Sequence, residues 1–146
     1  RHQKTAHDHP SYFLRTIAQR VREADNWRSR IAADRPRGGK VPVVVDGNLI
    51  SGEKLLGDQE NEYQKHILAS FPNAKAVDME AIGLARGVYS ARATRHYNAQ
   101  YLVVKAISDR IHKPGNQKER DAWRNYASEV AASFAVAIAE EVLACT

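Results

Sequence analysis

Ala74-Lys75-Ala76-Val77-Asp78-Met79-Glu80-Ala81 is the stretch on which the fold turns. Its first six residues form a short apolar run that follows the Pro72-Asn73 break. A helical pattern starts at about Glu80 and reaches Tyr89, or at most His96. Tyr101-Leu102-Val103-Val104-Lys105-Ala106-Ile107 then reads as a buried strand, rich in β-branched residues. Strand, helix and strand in this order make a βαβ unit, whose two strands run parallel through a right-handed crossover. Both strands then end on one edge of the sheet, which is where open α/β sheets bind ligands.

Outward from this unit the remaining elements fall into place. Val41-Pro42-Val43-Val44-Val45 reads as a strand, Asp46-Gly47 as a turn and Asn48-Leu49-Ile50-Ser51-Gly52 as a second extended run. A helix is expected over 58–70, with Tyr63, Ile67 and Leu68 facing inward. Upstream, Phe13, Leu14, Ile17, Ala18, Val21, Ala24, Trp27 and Ile31 recur at steps of three and four, so 11–33 is expected as one helix. Downstream, a polar loop over 108–121 contains Pro114-Gly115. It leads to a closing helix from about Asp121 to Leu143, striped by Trp123, Tyr126, Val130, Phe134, Ala137, Ile138 and Val142.

Composition narrows the function classes. The 146 residues are 43% hydrophobic and 27% charged, as in an ordinary globular domain and unlike a disordered or low-complexity chain. No apolar run reaches the roughly 18 residues of a membrane-spanning helix, and no signal-peptide pattern is visible. The chain starts at Arg1, which points to an upstream segment removed or not included. The single cysteine, Cys145, has no internal disulfide partner. A reducing compartment, the cytoplasm, is the simplest reading.

The net charge of +5 suggests a nucleic-acid partner until its distribution is read. Residues 1–40 hold ten Lys/Arg against four Asp/Glu, a net of +6, and residues 41–146 hold twelve against thirteen, a net of −1. The basicity belongs to a leading arm. Within it, Arg35-Pro36-Arg37-Gly38-Gly39-Lys40 reads as a solvated loop between elements ahead of a phosphate or nucleic-acid contact, since no aromatics interleave with the charges for base stacking. His7-Asp8-His9 reads as a solvated tail rather than a metal site, because no other ligand cluster lies near it.

The chemistry concentrates where the two strands of the βαβ unit end. The first ends in Val77-Asp78-Met79-Glu80 and the second in Ile107-Ser108-Asp109. Parallel strands bring Glu80 and Asp109 towards one cleft, and two acidic groups there suit acid–base work, metal binding or recognition of sugar hydroxyls. Each also has a plain structural role open to it. Glu80 suits the N-terminus of the next helix, and Asp109 suits a turn after a strand.

Three of these segments together resemble one family. Ala76-Val77-Asp78-Met79-Glu80-Ala81 is similar to the V-[ED]-M-E-A segment of the purine nucleoside phosphorylase and methylthioadenosine/S-adenosylhomocysteine nucleosidase superfamily. Val103-Val104-Lys105-Ala106-Ile107-Ser108-Asp109 is similar to its V-[RK]-x-I-S-D segment, and Gly47-Asn48-Leu49-Ile50-Ser51-Gly52 to its G-x-[IL]-x-S-G segment. Their order and spacing match, over about residues 41–146.

The resemblance implies an α/β fold of three αβα layers, a central mixed sheet flanked by helices. Residues 41–146 would be the C-terminal portion of that domain, and residues 1–40 a basic arm and helix. It further implies cleavage of the N-glycosidic bond of a purine nucleoside or nucleotide, by hydrolysis or by phosphorolysis, with no cofactor and no metal. Glu80 would bind the ribose 2′- and 3′-hydroxyls and Met79 would pack on the sugar. Asp109 would donate a proton to the purine N7, supported by Ser108, and Leu55 and Leu56 would line the base pocket. Phosphate and a second copy of the chain are implied partners, while nucleic acid and membrane are not. Leu55 stands where many nucleosidases carry an aromatic ring. Residues 1–40 hold no glycine-rich strand–turn for the attacking group. These two departures leave a non-catalytic purine-nucleotide-sensing or assembly module as the alternative. An aspartate of ordinary pKa near 3.9 needs burial to hold a proton at neutrality, and the neighbouring Arg110 would oppose it if directed into the site.

Overall fold

The computed structural model describes residues 11–36, 38–52, 61–93, 99–111 and 117–145. Helix α1 spans Tyr12–Ala24. It starts at Ser11, whose Oγ accepts the Leu14 N–H at 3.4 Å. The helix expected over 11–33 is broken once. Asp25 turns into the left-handed region at φ 59° while its N–H still closes on the Val21 carbonyl. A 3₁₀ turn, Asn26–Arg30, follows. Aspartate and asparagine tolerate that conformation better than most residues, which is why the break falls at Asp25-Asn26 without a glycine.

The break carries Trp27 into the core. It is 1% exposed and meets Phe134 edge-on, with ring centroids 5.1 Å apart and planes at 72°. Ile17, Val21 and Trp27 pack on Phe134, Ala137 and Ile138 of the closing helix α4, Gln117–Ala144. Every residue of the expected α4 stripe is buried or half-buried. Two polar clasps hold the 3₁₀ region to α4. The Arg30 guanidinium makes two bonds to the Glu140 carboxylate at 2.8 and 2.5 Å. Glu129 Oε2 accepts the Ala32 and Ala33 N–H groups at 2.8 and 2.7 Å.

The sheet among the described residues is a parallel pair, β1 Asn48–Ser51 and β2 Ala74–Asp78. Leu49 pairs with Ala76, Ile50 with Val77 and Ser51 with Asp78, after an irregularity between Asn48 and Leu49. Helix α2, Glu62–Ser70, makes the crossover and is capped by Asn61, whose Oδ1 accepts the Tyr63 and Gln64 N–H groups. Ile67 faces inward as expected, but Tyr63 is 41% exposed and Gln64 takes the buried position. Helix α3, Ala81–Arg92, leaves the end of β2. Helices around a small parallel sheet place the chain in the α/β class.

Two expected strands take another form. Residues 41–45 and 101–107 form no strand and join no ladder among the described residues. Asp46-Gly47 therefore closes no hairpin. Asp46 is held instead by Arg15 of α1 at 2.5 Å, and Gly47 lies so close to Lys75 that a Cβ there would collide with that side chain. Residues 41–45 keep the period of two, whereas 101–104 are covered at every position, with Tyr101 buried. Pro42 and Val44 turn inward between exposed Val41, Val43 and Val45, and Leu102 and Val104 join Val44 against the helical core. They flank a hollow of about 480 Å³ reaching Trp123, Tyr126 and Val130 of α4. A βαβ unit is present, but its ladder joins β1 to β2 through α2, and 101–107 lies beside it. In the Arg35–Lys40 loop, Arg35 and Lys40 are exposed, whereas Gly39 packs on Trp123.

Candidate active site

β1 and β2 run parallel, so they deliver Ser51 and Asp78 together to one edge of the sheet. The Gly52 N–H extends the pairing by donating to the Asp78 carbonyl at 3.2 Å. Both side chains then serve the start of α3. The Asp78 carboxylate accepts the Ala81 N–H at 3.3 Å from each oxygen, and Ser51 Oγ accepts the Ile82 N–H at 2.9 Å. These are amides of a first helical turn, which lack partners within the helix and favour a negative group.

Asp78 thus takes the capping duty open to Glu80 in the sequence. Glu80 makes no side-chain cap bond, and its carboxylate stands out at the surface, 75% exposed. There it meets Lys105, whose Nζ lies 2.8 Å from Glu80 Oε2 and 3.1 Å from Asp78 Oδ2. The Asp78 side chain is 6% exposed. The hydrogen bond and charge of Lys105 hold the Glu80 carboxyl below the usual carboxylate range, and Glu80 in turn raises the Lys105 ammonium above the usual lysine value.

Asp109 is fixed from two sides. Ser108 Oγ donates to its Oδ1 at 2.8 Å, and Arg120 Nη2, in the first turns of α4, donates to its Oδ2 at 3.2 Å. Arg120 matters here beside the sequence neighbour Arg110, and both line the cleft. Met79, Glu80, Lys105, Ser108 and Asp109 line the same space, an open cleft of about 970 Å³ that Val77, Leu68 and Phe71 also line. Glu80, Met79, Ser108 and Asp109 are therefore brought together. Leu55 and Leu56, expected at the base, lie outside the described residues, as does His7-Asp8-His9. Among the described residues no three His, Cys, Asp or Glu side chains are grouped to hold a metal ion.

Sequence pattern alone assigns no role to four residues of this arrangement. Asp78 and Lys105 sat inside the quoted segments, and their signal was charge in otherwise apolar strands. Ser51 is visible only once β1 is paired with β2. Arg120 fell in the expected loop because α4 begins at Gln117, ahead of Asp121.

The sequence model described as the Phosphorylase superfamily matches residues 4–141. The chain belongs to this superfamily. The match takes in α1 as well as the segments around the cleft. Among curated proteins, the chain is similar to the 5'-methylthioadenosine/S-adenosylhomocysteine nucleosidases of Staphylococcus aureus strains JH9 and Newman, at 36% identity over 63 residues in each case. The matched stretch is 43% of this chain and 24% of each relative, so the likeness spans about a quarter of those enzymes. No solved structure matches the chain. For this phosphorylase-superfamily chain, no helix among the described residues is long and apolar enough to cross a membrane.

Proposed function

We propose that the chain carries the sugar and base contacts of an enzyme that cleaves the N-glycosidic bond of a purine nucleoside or nucleotide. One observation carries the reading: Glu80 and Asp109 line one cleft, each oriented by a neighbouring side chain, beside a strand edge where α/β folds bind ligands. Superfamily membership and the nucleosidase names of the similar proteins support it. Residues 41–146 would hold the site and residues 1–40 a basic arm. The working protein would be a homo-oligomer in the cytoplasm.

In this reading an ionised Glu80 accepts from the ribose 2′- and 3′-hydroxyls, orients the ring and favours the positive charge that grows on it as the bond breaks. Met79 packs on the sugar. The departing base gathers negative charge, which a proton at N7 relieves. Asp109 would deliver that proton. Both its oxygens accept hydrogen bonds in this structure, so it must take up a proton before it can deliver one. Leu55 and Leu56 would border the base. Hydrolysis is favoured over phosphorolysis, following the nucleosidase relatives. The test is base release from a purine nucleoside with and without phosphate. Release that depends on phosphate overturns the hydrolytic form.

The double acceptance at Asp109 favours one second reading, a module that binds a purine nucleotide without turning it over. Binding without base release by the intact protein would select it.

A further inference from the structure

Lys105 has more to do in this cleft than neutralise a neighbour. Its Nζ lies between two carboxylates of different character, buried Asp78 at 3.1 Å and exposed Glu80 at 2.8 Å. Asp78 is the less mobile of the two, because its side chain is 6% exposed and its carboxylate shares the Ala81 N–H between both oxygens. The rigid partner therefore fixes the ammonium, and the ammonium fixes the mobile partner. An exposed glutamate at the mouth of a helix otherwise samples several rotamers, at a cost in binding each time it must be ordered. We infer that Lys105 is a positioning residue that, anchored on Asp78, holds Glu80 in one orientation towards the hydroxyls of a ribose. This rests on the proposed sugar-binding role of Glu80.

The charge arrangement fits that task. A lone ammonium beside a sugar gaining positive charge would oppose the reaction. Two carboxylates around one ammonium leave the cluster net negative, so Lys105 orders Glu80 without reversing the local field.

The test is the preference of the intact protein for inosine and adenosine over their 2′,3′-dideoxy counterparts, measured as a ratio of dissociation constants. The wild type is expected to favour the ribonucleosides. Lys105→Met is expected to cut that ratio by about 3- to 10-fold, the scale of a partly exposed charge pair. Lys105→Arg is expected to restore most of it. Lys105→Gln repeats the comparison should the methionine variant not fold. A ratio unchanged in Met and Gln variants overturns the inference and leaves the sugar-binding reading intact. A loss in Lys105→Arg equal to that in Lys105→Met overturns it too, since the need would not be for a cation. A wild type that binds no nucleoside, or shows no preference for the hydroxyls, overturns the reading of Glu80 itself.

Discussion

Arg120 Nη2 donates to Asp109 Oδ2 at 3.2 Å, tying the first turns of the closing helix to an acidic residue of the cleft. Both side chains are less than one-third exposed, so the pair is screened by solvent less than a surface ion pair. Arg120→Met is expected to destabilise the fold by about 1.5 kcal/mol, at the low end for a charged hydrogen bond. In a double-mutant cycle with Asp109→Asn, most of that loss should disappear. Fully additive losses in urea unfolding would show that the two residues do not act as a pair.

Trp27 and Phe134 meet edge-on at the centre of the helical core. Phe134→Ala removes the ring that covers Trp27 and leaves a cavity between α1 and α4. The expected cost is about 3–5 kcal/mol. Phe134→Leu keeps most of the volume and should cost less than half as much. Loss of the native tryptophan fluorescence signal, to which Trp27 and Trp123 both contribute, followed with denaturant, measures both.

Gly38 and Gly39 are adjacent yet should respond to alanine for different reasons. Gly38 has φ +78° and open space around it, so Gly38→Ala meets only backbone strain, about 1 kcal/mol. A Cβ on Gly39 would stand 2.5 Å from Trp123 Cη2 and 3.0 Å from the Pro36 carbonyl oxygen, so the loop or the indole must move. Gly39→Ala is expected to cost about 1–3 kcal/mol. Denaturant midpoints in which Gly38→Ala is the worse variant would contradict this account of the loop.

What the sequence made legible follows the range of the interactions. The α4 stripe from Trp123 to Val142 was readable because helical periodicity is local, and each of those positions is covered in the fold. Val41–Val45 and Tyr101–Ile107 have the composition of strands, and burial alternates over the first while the second is covered from Tyr101 to Val104. A ladder is another matter. Pairing depends on a distant partner, and β propensity reports a fit to a half-buried surface rather than to a neighbour. The same limit explains Asp46-Gly47, a strong turn signal that here meets Arg15 and Lys75 from other elements. In the cleft, Glu80, Ser108 and Asp109 were found from short segments. Their orienting partners Lys105 and Arg120 needed three-dimensional placement, and Asp78 took a cap that sequence alone left open to Glu80.

Acid should loosen the clasp between the 3₁₀ turn and α4. The Arg30 hydrogen bond and charge hold the Glu140 carboxyl below its ordinary 4.5. A carboxylate depressed in the folded state contributes stability that is present above 4.5 and is lost as pH falls through the lower folded value. Wild-type stability should therefore drop below about pH 4.5 more steeply than that of Glu140→Gln, and the two curves should run parallel from there to neutrality. High salt should shrink the difference, because both groups are at the surface. Unfolding midpoints across pH, at low and high salt, make the comparison. Identical slopes in acid would remove this pair as a source of pH dependence.

The two acidic residues of the cleft should fail in different ways if they serve sugar and base separately. Glu80→Gln keeps the size of the side chain but exchanges a charge-assisted acceptor for a neutral amide. It should weaken binding of a purine ribonucleoside by about 10- to 100-fold and leave the 2′,3′-dideoxy compound nearly unaffected. Asp109→Asn cannot donate an acidic proton. It should leave nucleoside affinity within a few-fold of wild type while slowing base release by about 100- to 10,000-fold, the usual contribution of a positioned acid. Neither change should unfold the chain, since α3 is capped by Asp78 and Ser51 rather than by Glu80. Equilibrium binding and single-turnover base release on the same preparations separate the two effects. If Asp109→Asn binds and releases base as the wild type does, the proton at N7 does not come from Asp109. If wild type and variant both bind and neither releases base, the cleft belongs to a binding module.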